Sequence, residues 1–239
     1  ISKEKMEVAP TAHYSMGGVF VDHLKGQTSV KNLYAIGEVT AGVHGANRLG
    51  GNSLAEIMVF GRLTGKNIAR DIRKIKLLEL DKRLIKNEKN RLMNKLNSKG
   101  INPIKIKKEI QKIMWKYCGV VRNGKNMKKA LNELNKYKKI KLNVGSSLKM
   151  NENLIAALDI QNMIPTCDMI IKSALFRKES RGAHYRIDYK ETNHKWKKNI
   201  ICEIKRNKTT VYSRKIRKIP KEIQIYLKSK EKAESKLLE

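Results

Sequence analysis

A glycine-rich segment that contains one histidine and one arginine runs from His44 to Leu54 (HGANRLGGNSL). Glycine lets a backbone approach a ligand closely because it has no Cβ atom. The helix predicted to follow would add unpaired N–H groups and the positive end of its dipole. The guanidinium of Arg48 can bind a carboxylate or a phosphate through two parallel hydrogen bonds. The segment therefore predicts a site for an anionic or polar ligand.

A second group of polar residues lies earlier in the chain. His13 and Tyr14 come just before a pair of glycines in the segment Pro10 to Gly18. Glu38 follows the apolar run Leu33–Gly37, which predicts a short buried strand. Open α/β sheets bind ligands at the carboxyl ends of their strands. Glu38 is therefore either a ligand contact or a simple cap at the strand end.

The elements that must position these residues can be predicted from capping and periodicity. The residues from Gly17 to Asp22 predict a glycine turn followed by a short strand. Ser53 is predicted to be the N-cap of a helix, with Glu56 completing a capping box. This helix is expected to run to about Lys74.

The sequence changes character in its second half, where lysine-rich amphipathic patterns dominate. Apolar residues at helical spacing predict helices around 106–117 and 127–134, with Gly119 as a C-cap. A longer apolar helix is predicted from Leu154 to Phe176, with a kink at Pro165. Such helices with short connections indicate a bundle. The residues 200–212 predict a β-hairpin.

Composition excludes several classes of function. The chain has 239 residues and a formal net charge of +31, which is compatible with nucleic-acid binding or with an acidic partner. The positive charges are dispersed and only 5% of the residues are aromatic, so we expect no nucleic-acid partner. The three cysteines lie far apart, and no CxxC pair occurs. This pattern predicts no metal or iron–sulfur site and favours a reducing, cytoplasmic setting.

Taken together, the motifs resemble those of the flavoprotein subunits of the succinate dehydrogenase and fumarate reductase family, which includes L-aspartate oxidase. The resemblance covers nearly all of residues 8–202. It rests on HYSMGG at 13–18, LYAIGE at 33–38, HGANRLGGNSL at 44–54, MWKYCGV at 114–120 with RNG at 122–124, and ESRGAHYR at 179–186.

The resemblance implies a role for each matching residue. His13 and Arg48 would bind the carboxylates of a C4 dicarboxylate, fumarate or succinate. The cofactor would be FAD, contacted by Tyr14, Glu38, Gly50, Gly51, Asn52, Ser53 and Leu54. The dipole of the helix that begins at Asn52, Ser53 and Leu54 would stabilise negative charge on reduced flavin.

Simpler interpretations stand beside these roles. His13 taken alone is more typical of a structural histidine, and Arg48 alone of an ion pair; the neighbouring motif residues favour substrate contact for both. His44 is equally compatible with a ligand contact and with an ordinary hydrogen bond. We expect His184 and Arg186 to serve inter-domain packing and not catalysis.

The implied fold class is α/β plus α. Residues 1–74 would form the C-terminal part of a capping and FAD-binding domain, residues 75–178 a helical bundle, and residues 179–239 a small α+β segment with a β-hairpin. No Gly-x-Gly-x-x-Gly fingerprint occurs in the sequence. The remaining FAD-binding portion and the proton-donor arginine are expected upstream of Ile1, so we place no catalytic residue within the chain.

The predicted activity is the interconversion of fumarate and succinate by hydride transfer with FAD, with electrons exchanged with an iron–sulfur subunit. Met16 and Leu49 resemble this branch more than L-aspartate oxidase, which ranks second. A non-catalytic, basic partner-binding fragment is the remaining alternative. We expect a cytoplasmic protein, in contact with the inner face of the membrane only through partner subunits, and expect the chain alone to be inactive.

Overall fold

The computed structural model describes residues 13–76, 79–206, 208–216, 218, 221 and 223–226. Residues Pro10 to Ala12 of the second predicted segment lie outside this range. The described α-helices are α1 (Asn52–Asp71), α2 (Lys82–Met93), α3 (Pro103–Cys118), α4 (Gly124–Asn135) and α5 (Glu152–Phe176). The described strands are β1 (Val21–Asp22), β2 (Gln27–Thr28), β3 (Val121–Arg122), β4 (Tyr185–Arg186), β5 (Lys198–Lys205) and β6 (Lys208–Lys215). Short 3-10 helices cover Gly37–Val39, Ile72–Lys74 and His194–Trp196. The fold is thus mixed α/β, mainly helical with small sheets.

The hydrophobic core lies where α3, α4 and α5 pack against one another. Its largest fully buried apolar side chains are those of Ile110, Met127, Leu134 and Ile171. The helical spacing of apolar residues predicts all three helices, and the structure confirms them. The N-cap of each of the three helices is an asparagine whose side chain accepts a hydrogen bond from a backbone N–H group of the first turn. These residues are Asn102 in α3, Asn123 in α4 and Asn151 in α5.

Two special residues shape these helices. Gly119 is the C-cap of α3, as predicted, and a Cβ atom added to it would lie 2.5 Å from the Trp115 carbonyl oxygen. Pro165 lies inside α5, which continues to Phe176 without a break. Of the described helices, α5 alone is long and apolar enough to cross a membrane. Most of its buried residues belong to the bundle core, which accounts for this apolar character.

The region that carries the glycine-rich segment contains α1 and the short antiparallel pair β1–β2. The strand predicted over Leu33–Gly37 is wrong. Only an isolated bridge joins Tyr34 to Gln27 there, and a 3-10 helix begins at Gly37. Gly37 has a φ of +74°, which turns the chain out of an extended path. The strand predicted near Val19 is confirmed. It consists of the two residues of β1, and Val19 just before it forms an isolated bridge with Thr40.

The start of α1 also differs from the prediction. The N-cap is Gly51, with a φ of 80° and no side-chain cap hydrogen bond, and Ser53 lies inside the helix. The left-handed turn at Gly51 brings the chain into the helix two residues early, so the capping box of Ser53 and Glu56 does not form. The predicted end is confirmed, because α1 ends at Asp71 and a 3-10 turn follows to Lys74.

The C-terminal hairpin confirms its prediction and is longer than expected. Strands β5 and β6 pair from Lys198 opposite Lys215 to Lys205 opposite Lys208. The hairpin lies on α5, where Thr209 Oγ1 donates to Asp168 Oδ2 at 2.7 Å. Strand β4, which comes before the hairpin in the chain, pairs in parallel with β3. The C-terminal segment is therefore joined to the bundle by both side chains and backbone.

Candidate functional site

The two predicted substrate-binding residues lie together at one surface. Arg48 Nη2 is 2.9 Å from His13 Nε2. Because a guanidinium only donates hydrogen bonds, Nε2 is the acceptor and the neutral ring carries its proton on Nδ1. The Arg48 Cζ atom lies 4.6 Å from the centre of the Tyr14 ring. His13, Arg48 and Tyr14 therefore form one cluster.

Arg48 keeps hydrogen-bonding capacity to spare. Its Nη1 donates to the Leu49 carbonyl at 3.3 Å. Its Nε atom is buried and has no hydrogen-bond partner among the described residues. An unsatisfied buried donor on a cation costs free energy unless an acceptor arrives. A carboxylate would supply that acceptor, so the guanidinium fits the predicted ligand.

Behind this cluster, Tyr14 is held by a buried carboxylate. The Tyr14 hydroxyl donates to Glu56 Oε2 at 2.9 Å. His44 Nε2 lies 2.7 Å from the same oxygen and 3.0 Å from the Tyr14 hydroxyl. The side chain of Glu56 is 3% exposed and that of His44 is 8% exposed. One carboxylate therefore ties the His13–Tyr14 segment, the glycine-rich segment and α1 together.

The environment of Tyr14 keeps its hydroxyl protonated. Burial raises the pKa of Tyr14 above its usual value, and the hydrogen bond to Glu56 and the charge of that carboxylate raise the pKa further. The nearby Arg48 guanidinium acts in the opposite direction but is the weakest of these influences. Tyr14 is thus a hydrogen-bond donor and not a source of negative charge.

Glu38 lies at the same side of the structure but has a local partner. Its Oε1 accepts the backbone N–H of Ser15 at 2.8 Å. This contact holds the residues that follow Tyr14 against the turn after Gly37. Glu38 is exposed. Its assignment to flavin hydroxyl groups stays a prediction.

The residues Gly50 to Leu54 form an open helix start. Cβ atoms added to Gly50 and Gly51 would meet no atom within 4 Å. Leu49 and Leu54 are 72% and 67% exposed. An open glycine surface, apolar side chains and the positive end of α1 fit a flat, partly apolar ring that carries negative charge. The residues present therefore fit the isoalloxazine ring of a flavin, with Asn52 and Ser53 in the first turn of the helix.

The role of Glu56 was missed by the sequence prediction. A glutamate three residues after a serine is typical of a capping box, and this pattern pointed to the wrong partner. His44 proves to make an ordinary hydrogen bond, which is one of its two predicted roles. The signal that could have found Glu56 is the apolar surroundings of a carboxylate on α1, where a buried charge requires partners.

A second polar cluster holds the C-terminal motif. Glu179 is 0% exposed and accepts hydrogen bonds from Arg177, from Arg181 and from the Asn193 backbone. Arg186, 3% exposed, donates to three carbonyl groups at the end of α5 and to Asp188. These contacts join the motif to the bundle, in line with a packing role.

His184 belongs to the same cluster. Its Nδ1 lies 3.1 Å from Arg122 Nη1, while Nε2 is buried and without a partner in the described part of the chain. Burial lowers the pKa of His184 to about 4, with the charges of Arg122 and Arg177 acting in the same direction. The ring is therefore neutral near pH 7. No group of His, Cys, Asp or Glu side chains suited to a metal ion occurs among the described residues.

Comparison with known families finds a match to each of two segments of the chain. Residues 107–232 match the family described as fumarate reductase flavoprotein C-term. Residues 2–54 match the family described as FAD binding domain. The first match covers more than half of the chain and includes most of the bundle core and the C-terminal motif.

Individual relatives agree with these matches. One component of the fumarate reductase (CoM/CoB) of Methanothermobacter marburgensis is 41% identical over 207 residues, 86% of this chain and 38% of that protein. An L-aspartate oxidase of Yersinia pestis is 34% identical, over 79% of this chain and 34% of its own length. The chain thus spans little more than a third of the curated relatives it matches.

Solved structures show the same likeness. Mycobacterium smegmatis Sdh1 in complex with UQ1 superimposes with a TM-score of 0.86 at 30% identity, over 91% of this chain and 38% of that one. Quinol fumarate reductase FrdA of E. coli with an E245Q mutation gives a TM-score of 0.78 at 31% identity, over 91% and 39% of the two chains. The family matches, the relatives and the shared fold agree with the residues of the site: the chain belongs to the succinate dehydrogenase and fumarate reductase flavoprotein family.

Proposed function

We propose that this chain is the C-terminal part of an FAD-dependent flavoprotein subunit that interconverts fumarate and succinate. The observation that carries the proposal is the contact of Arg48 with His13 at the open, glycine-rich start of α1. Two side chains able to bind carboxylates lie next to a surface that fits a flavin. This arrangement suits a dicarboxylate placed against the flavin ring.

Each residue has a role that follows from its chemistry. Arg48 binds one substrate carboxylate with two parallel hydrogen bonds, using the donors that its own chain leaves free. His13 donates to a carboxylate through its ring N–H. Binding one carboxylate tightly draws electron density from the adjacent double bond, which makes its carbon a better hydride acceptor. FAD, when bound, supplies or accepts the hydride.

Other residues hold the cofactor and orient the substrate cluster. Gly50 to Leu54 present the positive end of α1 to the flavin ring, and Glu38 accepts from flavin hydroxyl groups. Tyr14 lies against the Arg48 guanidinium and contacts the flavin. The proton-donor arginine belongs to the portion of the protein that this chain does not include, so the chain alone is expected to be inactive.

The remaining FAD-binding portion is the first expected partner. Residues 1–74 would complete its domain, residues 75–178 form the bundle, and residues 179–239 form the C-terminal segment. The exposed apolar side chains around the start of α1 support such a partner, because surfaces of this kind are usually covered. The second partner is an iron–sulfur subunit that exchanges electrons with the flavin. The proposed location is cytoplasmic, peripheral to the membrane through other subunits.

Substitution of Arg48 in the complete protein tests the proposal. Arg48→Lys keeps the charge but loses the bidentate geometry, so we expect kcat/KM for fumarate to fall by about 10²-fold. Arg83→Lys at the exposed start of α2 is the matched control and should leave kcat/KM unchanged. FAD content should be equal in both variants. Unchanged fumarate turnover in Arg48→Lys would contradict the proposal.

L-aspartate oxidation is the second candidate function. The similarity to the Yersinia pestis enzyme supports it, and the same pair of side chains would bind the two carboxylates of aspartate. The complete, oxidised protein separates the candidates when it is mixed with each substrate. Bleaching of the oxidised flavin by succinate supports the first function, and bleaching by aspartate alone supports the second.

A further inference from the structure

A tight turn in the C-terminal motif touches the glycine-rich segment directly. Arg181 and His184 exchange backbone hydrogen bonds at 2.8 and 3.1 Å, which closes the turn. At its tip, the Ala183 N–H donates to the carbonyl oxygen of Ala46 at 3.1 Å. Ala46 stands two residues before Arg48. A backbone contact therefore links residues far apart in sequence, one of them next to the substrate arginine.

The contact is close enough to require glycine at one position. Gly182 has a φ of +57°, and a Cβ atom added to it would lie 2.5 Å from the Ala46 carbonyl carbon and 2.8 Å from the Ala46 Cβ atom. Real side chains do not tolerate such distances. Any residue larger than glycine would have to push the glycine-rich segment away from the turn.

The turn is anchored much more firmly than the segment it touches. Arg181 donates through Nε and Nη2 to the two oxygens of the fully buried Glu179, at 2.9 and 3.0 Å. His184 is joined to Arg122 of β3. Ala46 and its neighbours Gly45 and Asn47, by contrast, are all exposed. When the two surfaces meet, the segment must therefore adapt to the turn.

We propose that the turn at Gly182 and Ala183 is a positioning element that fixes the place of Arg48 in the substrate site. This inference rests on the proposed function, because it assumes that Arg48 binds a substrate carboxylate. The C-terminal motif then acts on the reaction without touching substrate. It holds the segment at Ala46, and the His44–Glu56 contact holds it two residues earlier.

Gly182→Ala in the complete flavoprotein is the test. Gly145→Ala is the matched control, because Gly145 also has a positive φ, +76°, but an added Cβ atom would meet nothing within 4 Å. Both variants introduce backbone strain, and only Gly182→Ala introduces a clash. We expect Gly182→Ala to raise KM for fumarate by about tenfold or more. The FAD content should match that of Gly145→Ala.

Hydrogen–deuterium exchange gives a second result that does not depend on turnover. Exchange of the peptide covering residues 43–50 should be faster in Gly182→Ala than in wild type, and unchanged in Gly145→Ala. Unchanged KM and unchanged exchange in Gly182→Ala would overturn the inference while leaving the proposed function intact. A wild-type protein that turns over neither fumarate nor succinate would overturn the proposed function. The exchange result would still test whether the turn holds the segment at Ala46.

Where Gly182→Ala fails to fold, Ala46→Gly replaces it. This variant removes a side chain that lies against the turn and adds backbone freedom without creating a clash. We expect faster exchange over residues 43–50 and a rise in KM of about threefold. Wild-type values for both quantities would overturn the inference.

Discussion

Glu56 is the residue on which the geometry of the substrate cluster depends. Its buried carboxylate accepts the Tyr14 hydroxyl and contacts His44, and Tyr14 in turn lies against the Arg48 guanidinium. A charge in such a position is tolerated only because its hydrogen bonds replace water. Its contribution is therefore both to stability and to the orientation of the residues in front of it.

Glu56→Gln should weaken this arrangement without removing the side chain. We expect the free energy of unfolding to fall by about 1–3 kcal/mol, because the amide keeps only one acceptor oxygen and its NH2 group cannot accept from the groups around the other position, Thr40 on one side and Tyr14 with His44 on the other. The pKa of Tyr14 should fall, because the carboxylate charge helps to raise it. The measurements are urea unfolding and the tyrosinate absorbance difference between proteins with and without Tyr14→Phe.

The control for this prediction is Glu109→Gln, which removes the charge of an exposed ion pair with Lys112. Surface pairs of this kind contribute about 0–1 kcal/mol. Equal losses of stability in the two variants would show that the Glu56 network has no special role. An unchanged pKa of Tyr14 in Glu56→Gln would separately exclude the electrostatic coupling.

His184 makes stability depend on pH. Its folded-state pKa of about 4 lies below the usual value for histidine, so between these two values the unfolded chain binds the proton and the folded chain does not. The contribution of the neutral His184 ring to the free energy of unfolding is therefore fully present above about pH 6.5. It declines as the pH falls towards 4. For a half-buried ring we expect a loss of about 1–2 kcal/mol across this range.

The variant that isolates this effect is His184→Gln, whose amide oxygen can still accept from Arg122. Urea unfolding at pH 7 and pH 5 should show a larger decline in wild type than in the variant. The other histidines contribute equally to both proteins. An identical decline in the two proteins would exclude His184 as the cause.

Prediction from sequence at this scale is possible where a motif implies the chemistry, and the roles of His13 and Arg48 in substrate binding stay predictions. The adjacency of His13 and Arg48 was expected because both residues belong to matching motifs, and the structure brings them to 2.9 Å. Glu56 could not be assigned in the same way. Its partners Tyr14 and His44 come from other segments, and only tertiary packing decides that a helix carboxylate turns inward.

At the scale of elements, the helices of the bundle depend on their asparagine caps. The Asn102 side chain accepts the N–H groups of Ile104 and Lys105 at the start of α3. Asn102→Ala should lower the free energy of unfolding by about 1 kcal/mol, because these N–H groups then lose their acceptor. Thermal or urea unfolding measures the change.

Asn90→Ala supplies the comparison, because Asn90 lies in the exposed interior of α2. Alanine has the higher helix propensity, so this variant should be neutral or slightly stabilising. A loss of similar size in both variants would mean that the cap contributes nothing beyond propensity.

Elements could be predicted where periodicity is long, and not where one glycine sets the path. The patterns of α3, α4 and α5 extend over several turns, and the hairpin alternates over two strands, so both were found. The start of α1 was misplaced because Gly51 adopts a φ of 80° that no residue pattern specifies. Gly37 likewise ends the extended path that the apolar run Leu33–Gly37 had suggested.

At the scale of the whole molecule, two regions bury their side chains in opposite ways. The bundle has an apolar core, whereas the buried residues of α1 are Glu56 and Thr64. Several apolar residues of α1 face outward, among them Leu54 and Met58, which are 67% and 74% exposed. Exposed apolar side chains that lie together on one helix are typical of a covered interface. The net charge of +31 points to further electrostatic contacts, and the absence of a nucleic-acid partner stays a prediction.

The outward face of α1 predicts how the complete protein responds to a charge placed there. Met58→Glu would put a carboxylate where the FAD-binding portion is expected to pack, which forfeits about 1.5–3 kcal/mol of apolar burial and adds a desolvation cost. FAD retained after gel filtration should fall well below the wild-type ratio. Ile155→Glu, at a site 61% exposed on α5, should retain FAD normally because it lies on the bundle. Full retention of FAD in Met58→Glu would show that this face is not the one that the FAD-binding portion covers.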